Sequence, residues 1–131
     1  MPEFLLDTNT ATLIMIGHRP TITAMRRAKP RAVSLSTVSQ SEMLFGAHTH
    51  ASHELATRVR RFLERMMIVD WDQKAAEAHA RIRAQTRVRG RSAGPFDLMI
   101  AAHAIALGMV LVTSDKAIGN LGIEELKIVE W

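Results

Sequence analysis

The sequence predicts an α/β fold built on a parallel five-stranded sheet with helices on both faces. Two observations lead to this prediction: segments of strand and helix character alternate along the chain, and the predicted strands are short and apolar. Both features are typical of parallel sheets that helices cover on each side. The chain has 131 residues, of which 47% are hydrophobic, so we expect residues 1–131 to form one domain with a sizeable core.

The first part of the chain predicts two strands and two helices. Residues 2–6, PEFLL, form a short buried strand that ends at Asp7, and a helix follows as far as Gly17. Residues 21–29 predict a second helix, and residues 32–37, AVSLST, predict the second strand.

The middle of the chain predicts two helices and a third strand. Residues 39–50 form a helix in which Glu42 follows Ser39 at the spacing of a capping box. Residues 52–65 have leucine, valine and phenylalanine at helical spacing, and residues 66–71, MMIVDW, predict a strand.

The last part of the chain completes the alternation. A long helix over residues 72–89 leads through the turn GRSAGP into an apolar helix at 95–107, whose initial proline suits a first helical turn. Residues 109–113 predict the fourth strand and residues 126–131 a short fifth.

The charge of the chain favours an anionic partner without establishing one. There are 17 Lys and Arg residues against 13 Asp and Glu, which leaves a net charge of +4. The arginines are concentrated in residues 58–65 and 81–91. Such segments occur as solvated, salt-bridged helix faces and also as phosphate-binding surfaces, so both interpretations remain open.

Other features exclude several classes of protein. There are no cysteines, which excludes disulfides and thiolate metal sites. The first residues, MPEFLLD, lack the basic region of a signal peptide, and the longest apolar run, residues 98–112, is too short to span a bilayer. We therefore expect a cytoplasmic protein with no membrane partner.

Four carboxylates are candidates for a site at the carboxyl edge of the sheet. Asp7 ends the first strand, Glu42 lies in the first turn of the helix after the second strand, and Asp115 follows the fourth strand. Asp97 lies in the first turn of the helix before the fourth strand. Ligands of open parallel sheets collect at this edge, where the strand order reverses.

Topology alone does not bring Asp97 to that edge. A helix that simply runs antiparallel to the sheet and leads into the fourth strand is expected to begin at the opposite edge, unless the preceding long helix changes the route or the helix packs at a crossed angle. Asp97 nevertheless shares a helical face with the apolar Ile100, Ala101 and Ala104, so we expect its carboxylate to point inward.

Each acid also has a purely structural explanation, as a capping, helix-dipole or turn residue. Several inward carboxylates, however, raise one another's pKa unless a cation neutralises them. Oxygen ligands without thiolates favour Mg²⁺ or Mn²⁺. An acidic metal site within a basic protein suits a nucleic-acid phosphodiester as the substrate.

Four motifs, in this order, resemble the PIN-domain ribonucleases and, more narrowly, the VapC-type toxins of bacterial toxin–antitoxin pairs. They are LLDTNT at residues 5–10, SEMLFG at 41–46, GPFDLMIAAHAIALGMVLVTSD at 94–115, and the terminal VEW. The resemblance runs nearly from end to end. It implies a PIN-like α/β fold with the acidic cluster at one end of the sheet, which supplies the position of Asp97.

The resemblance also implies an activity, a cofactor and partners. It implies a metal-dependent endoribonuclease that uses Mg²⁺ or Mn²⁺, cleaves RNA such as tRNA or rRNA, forms a homodimer and is blocked by a cognate antitoxin. Asp7 and Asp97 correspond by motif to the main metal ligands, and Glu42 and Asp115 to the third and fourth acids. The neighbouring polar residues that match positions binding water or orienting ligands are Thr8, Asn9, Thr113 and Ser114.

The chain departs from the family pattern after Asp115. Many relatives have a further acid shortly after this position, where residues 116–119 read KAIG. We therefore expect a second metal to bind weakly. Ile118 replaces an aromatic residue that is often found there, and we interpret it as a packing residue.

Alternative functions remain to be separated. The sequence DTNT is similar to the motif of haloacid-dehalogenase-type phosphohydrolases, but Asn9 stands where the general acid belongs. A receiver-like domain with Asp70 as phospho-acceptor lacks the paired acids and the lysine that such a site needs. A non-catalytic nucleic-acid-binding module that acts with an antitoxin is the third alternative.

The histidines predict no additional site. His48, His50 and His53 in HTHASH do not share one helical face, so a polar helix junction explains them better than zinc binding. His103 aligns with Phe96 along its helix, and we expect it to be packed at a helix or dimer contact.

Overall fold

Five parallel strands form the centre of the molecule, in the spatial order β3-β2-β1-β4-β5. This computed structural model describes residues 2–49 and 52–131. Each neighbouring pair of strands is parallel, so the predicted sheet is confirmed. The strands are Glu3–Leu6 (β1), Ala32–Ser36 (β2), Met67–Val69 (β3), Val110–Val112 (β4) and Ile128–Val129 (β5).

The helices begin and end close to the predicted positions. Asp72 accepts a hydrogen bond from the backbone amide of Ala75 at 3.1 Å and caps α5, and Gly108, with a φ of 67°, ends α6. The short α7 was not predicted. The helices are Thr8–Met15 (α1), Arg19–Ala28 (α2), Thr37–Thr49 (α3), His53–Arg65 (α4), Gln73–Val88 (α5), Pro95–Leu107 (α6) and Lys116–Gly119 (α7).

Helices cover both faces of the sheet, because alternate strand residues point to opposite sides. Leu5 and Leu111 pack on one face with Ile82 of α5 and Ile100 of α6. Their neighbours pack on the other face against α1, α3 and α4. The buried residues of this second cluster include Phe4, Leu6, Leu35, Met43, Val59, Leu63 and Val112.

The strand order reverses beside β1. The chain proceeds outward from β1 to β2 and β3, and then returns to place β4 on the free side of β1. Leu6, the last residue of β1, is paired with Leu35 of β2 and with Val112 of β4. The carboxyl ends of β1 and β4 are therefore neighbours at the topological switch point, where ligands of parallel sheets bind.

The predicted route into β4 is wrong. Helices α5 and α6 pack side by side, and the indole nitrogen of Trp71 donates to the carbonyl of Met99 at 3.0 Å. Helix α6 ends at Gly108, just before β4 begins. A helix that ends there and runs antiparallel to β4 begins at the carboxyl end of that strand, not at the opposite edge, so the fold carries Asp97 to the switch point.

Two smaller boundaries also differ from the prediction. Thr37 begins α3 instead of ending β2, and its hydroxyl accepts the backbone amide of Trp71 at 3.0 Å. Only Ile128–Val129 of the predicted fifth strand pairs with β4. Within residues 2–49 and 52–131, no helix has the length and apolar character needed to cross a membrane.

Candidate active site

Asp7 lies at the junction of β1 and α1 and is almost completely buried, with 3% of its surface exposed. Its backbone amide donates to the Val112 carbonyl at 3.0 Å, which ties the end of β1 to β4. Its Oδ1 accepts the backbone amide of Thr10 at 2.8 Å and caps α1. The capping role engages Oδ1, so Oδ2 remains for a ligand, and the structural and functional explanations are compatible.

Glu42 is held by α1 rather than by its own helix. The Thr8 hydroxyl donates to Glu42 Oε1 at 2.6 Å and lies 3.1 Å from the Ser39 hydroxyl. Because the single Thr8 proton goes to the carboxylate, Ser39 must be the donor in the second hydrogen bond. This chain of hydroxyls fixes one oxygen of Glu42 and leaves the other available.

The capping-box interpretation of Glu42 is wrong. Helix α3 begins at Thr37, so Glu42 lies in its second turn, and the first turn contains no acid. The hydroxyl of Ser36 accepts the backbone amide of Val38 at 3.1 Å and serves the start of the helix instead. Ser39 is fully buried and contacts Thr8, a role that sequence reasoning missed.

Asp97 is the most perturbed carboxylate of the cluster. Its pKa is raised from 3.8 to about 6, first by burial and then by the charges of Asp115, Glu42 and Asp7 and a hydrogen bond with Asp115. A Cβ on Gly94 would lie 3.1 Å from Asp97 Oδ2, so the glycine leaves room for the carboxylate. The structure thus brings all four acids within electrostatic reach of one another.

Asp115 follows β4 and caps the short helix α7. Its Oδ1 accepts the backbone amide of Ala117 at 2.9 Å, and its own amide donates to the Thr113 hydroxyl at 3.0 Å. Thr113 is buried, whereas Ser114 and Asn9 are exposed near the same edge of the sheet. Ile118 is buried in the core, in agreement with a packing role.

The donor set suits a hard divalent cation. Four carboxylates supply oxygen ligands, and the raised pKa of Asp97 shows that their repulsion is not compensated by a neighbouring cationic side chain. Within the part of the chain that the structure describes, no three His, Asp or Glu side chains converge into a ready coordination sphere. Mg²⁺ commonly keeps several waters and takes only one or two carboxylates directly, which matches such an open arrangement.

The histidines take no part in this cluster. His48 and His53 are exposed, and His50 lies outside the residues that the structure describes. His103 is buried with 1% exposure, which confirms that it is packed. Burial lowers its pKa, although the charges of Asp72 and Asp70 and the Asp70 backbone oppose this effect.

Substitution of Thr8 by valine is expected to lower cleavage of RNA and affinity for Mn²⁺ by about 10- to 100-fold, the usual effect of losing a group that orients a ligand. The change removes the hydroxyl that holds Glu42 and leaves Ser39 without its partner. Initial rates and titration calorimetry with Mn²⁺ measure both effects. The control is Thr8→Ser, which keeps a hydroxyl and should retain most of the affinity for Mn²⁺. If Thr8→Ser loses this affinity as well, the Thr8 hydroxyl does not act by orienting Glu42.

Comparisons with known proteins agree with this geometry. The family model of the PIN domain matches residues 4–124. A protein of Shigella flexneri named tRNA(fMet)-specific endonuclease VapC is 30% identical over 130 residues, which cover 95% of this chain and 98% of the relative. A protein of Salmonella typhimurium with the same name is 32% identical over 117 residues and 88% of each chain.

A solved structure extends the likeness to three dimensions. The crystal structure of DNA-bound VapBC from Salmonella typhimurium matches with a TM-score of 0.88 and 29% identity, over 100% of this chain and 99% of that one. These matches exclude the phosphohydrolase and receiver-like alternatives. The fold, the order of the motifs and the likeness along nearly the whole chain agree, and the protein belongs to the PIN-domain family, among its VapC-type ribonucleases.

Proposed function

We propose that this protein is a divalent-metal-dependent endoribonuclease that hydrolyses RNA phosphodiester bonds. The observation that carries the proposal is that Asp7, Glu42 and Asp115 lie within electrostatic reach of Asp97 at the switch point of a VapC-type chain, with the pKa of Asp97 raised to about 6. VapC-type PIN-domain ribonucleases generally depend on a divalent metal. Oxygen donors alone favour Mg²⁺ or Mn²⁺ over softer metals.

Each acid has a proposed role, which the motif correspondence suggests and with which the hydrogen bonds of Asp7, Glu42 and Asp115 are compatible. Asp7 and Asp97 would hold the metal, Asp7 through the oxygen that does not cap α1. Glu42, fixed by Thr8, and Asp115, fixed by the Ala117 amide, would orient the metal ligands or the attacking water. A divalent cation held there would supply a lowered pKa for water and stabilisation of the leaving oxygen. Attack by water, rather than by the ribose 2′-hydroxyl, leaves 5′-phosphate and 3′-hydroxyl ends.

We further propose that the protein is the toxin of a type II toxin–antitoxin pair, neutralised by a protein antitoxin. Its relatives include VapC endonucleases, and its structural matches include VapBC complexes bound to DNA. Relatives named for tRNA(fMet) favour tRNA as the class of substrate. The homodimer remains a prediction.

Cleavage of total tRNA tests the proposal. The purified protein is incubated with Mg²⁺ or Mn²⁺ and, separately, with EDTA, and the fragments are analysed for their end groups. We expect discrete fragments with 5′-phosphates only when metal is present. Asp97→Asn should abolish cleavage, and Asp70→Asn is its matched control. Asp70 follows β3 at the same sheet edge but is exposed and lies outside the four-carboxylate cluster.

Three outcomes would contradict the proposal. Cleavage that persists in EDTA would exclude the metal-dependent mechanism. A loss of cleavage in Asp70→Asn as large as that in Asp97→Asn would show that the activity does not depend specifically on the four-carboxylate cluster. Salt-sensitive RNA binding without cleavage at any metal concentration would favour the alternative of a non-catalytic module that acts with an antitoxin.

A further inference from the structure

We propose that a groove between α5 and α6, here called the arginine groove, binds the phosphate backbone of the RNA next to the bond that is cleaved. This inference rests on the proposed function and assigns a surface for its substrate. The groove has a volume of about 720 Å³. The lining residues that matter here are His79, Arg83, Arg87, Arg91, Leu98 and Met99.

The arginine groove presents positive charge without compensation. Arg83, Arg87 and Arg91 line it, and within residues 2–49 and 52–131 its lining includes no Asp or Glu. The two ion pairs found in these residues, Arg31 with Glu3 and Arg81 with Glu125, involve other arginines. Exposed guanidinium groups in this situation attract anions, and their planar donors suit phosphate oxygens.

The spacing of these side chains favours a nucleotide strand. His79, Arg83 and Arg87 follow one another at intervals of four residues along α5, which places them on one face about 6 Å apart. Arg91 continues the row beyond the end of the helix. Burial and the charge of Arg83 lower the pKa of His79, which favours its neutral form, so the positive charges of the row are those of the arginines. A regular row of positive charges suits the regularly spaced phosphates of RNA better than the irregular charges of an acidic peptide.

The remaining arginines of this segment have structural roles. Arg81 contacts both carboxylate oxygens of Glu125 at 2.6 Å, and an Arg89 Nη1 donates to the Gly122 carbonyl at 2.9 Å. The sequence left two explanations of the basic segment open, and the structure supports both: Arg81 and Arg89 make structural contacts, whereas Arg83 and Arg87 line the groove. Within the described residues, Arg83 and Arg87 make no tertiary hydrogen bond or ion pair, so these two arginines are available for a ligand.

The arginine groove reaches the first turn of α6, the turn that contains Asp97. Pro95 and Leu98 line the groove, and Asp97 lies between them in the sequence, although its side chain is not part of the lining. On the other side, Arg91 Nη1 donates to the Asn120 carbonyl at 3.0 Å, which ties the groove to the segment that follows Asp115. In the proposal, an RNA strand held along the arginines therefore passes next to the helical turn that presents Asp97.

The test measures RNA binding without turnover. A short fluorescein-labelled single-stranded RNA is titrated in EDTA against the wild type and the Arg83→Gln/Arg87→Gln variant, at several salt concentrations. Each lost phosphate contact on a single strand lowers the slope of log K against log salt by about 0.7, so we expect a decrease of about 1.4 and a loss of affinity of about tenfold or more. Neither side chain makes a tertiary hydrogen bond or ion pair in the described residues, so the variant should fold.

Two matched variants complete the experiment. Arg58→Gln/Arg61→Gln removes the same charge from exposed positions on α4, in a different groove that also contains Glu54, and should retain affinity within about twofold. Arg83→Lys/Arg87→Lys keeps the charge and should restore the salt slope. Circular dichroism verifies that each variant is folded.

The outcomes separate this inference from the proposed function. If Arg83→Gln/Arg87→Gln on α5 keeps its RNA affinity, or loses no more affinity than Arg58→Gln/Arg61→Gln on α4, the assignment of the groove is wrong. Neither result would contradict the proposed cleavage activity. RNA binding that depends on the groove arginines, without metal-dependent cleavage, would support the groove as an RNA-binding surface but contradict the proposed nuclease activity. If the α5 variant keeps its RNA affinity but loses binding to labelled polyglutamate, the groove serves an acidic protein segment and the inference is wrong.

Discussion

Replacement of Asp97 by asparagine is expected to stabilise the metal-free protein at neutral pH and to abolish cleavage of RNA. The pKa of Asp97 is raised from 3.8 to about 6, so its ionised form costs free energy in the folded state. For a partly exposed group that solvent screens, we expect relief of about 1 kcal/mol, or an increase in Tm of about 3–5 °C. Because Asp97 is a proposed metal ligand, its replacement should reduce cleavage by about 100-fold or more.

The stabilisation should depend on pH with a defined sign. A group whose folded pKa is raised stabilises the fold below its unfolded pKa, and this contribution is lost as pH rises through the folded value. The wild type therefore carries the cost above about pH 6 and is free of it near pH 4. In EDTA, Asp97→Asn should have a higher Tm than the wild type near neutral pH, and the difference in Tm should disappear as the solution is acidified.

Metal reverses the order of stability. Saturating Mn²⁺ binds only the folded wild type, so it should raise the Tm of the wild type and leave that of Asp97→Asn nearly unchanged. The control is Asp72→Asn, which changes a capping aspartate of α5 and should be nearly neutral, since asparagine caps equally well. A lower Tm for Asp97→Asn in EDTA, together with retained Mn²⁺ binding, would show that Asp97 only complements the dipole of α6.

Most of the fold could be predicted because its signals are local. The apolar strands, the glycine that ends α6 and the aspartate that caps α5 all act within a few residues. The start of α3 could not be predicted, because the stretch SLSTVSQS offers several serines and threonines that could cap a helix. The choice of Ser36 depends on where burial in the sheet ends, which is a property of the tertiary structure.

The sequence predicts which four acids form the candidate site but not their positions relative to one another or their hydrogen-bond partners. Thr8 and Glu42 are separated by 34 positions, and their hydrogen bond exists because β1 and β2 are paired with Leu6 opposite Leu35. Asp97 lies at the start of α6, whose other end at Gly108 leads directly into β4, and the position of that start relative to the sheet depends on how the helix packs. No local pattern encodes either relation, and it was the resemblance to a family that supplied the position of Asp97.

The four-carboxylate cluster lowers the stability of the folded protein at the site to which we assign the function. Burial and three neighbouring carboxylates hold the pKa of Asp97 near 6, so at neutral pH the fold carries a repulsion that a bound cation or a proton relieves. Natural proteins commonly give up stability at functional sites in this way. If Asp97 holds the metal as proposed, protons and metal ions should compete for its carboxylate near pH 6.

Cleavage at limiting metal is therefore expected to fall as the pH decreases through about 6, by about tenfold per pH unit well below that value. Saturating Mn²⁺ should shift the decline to lower pH, because the metal displaces the proton from Asp97. Initial rates at low and saturating Mn²⁺, in buffers of constant ionic strength, measure the shift, and RNA binding in EDTA over the same range serves as the control. A decline at the same pH for both metal concentrations would mean that the titrating group is not a metal ligand. It would then lie on the RNA or on a residue outside the four-carboxylate cluster, and the coupling between burial, repulsion and metal affinity derived for Asp97 would be wrong.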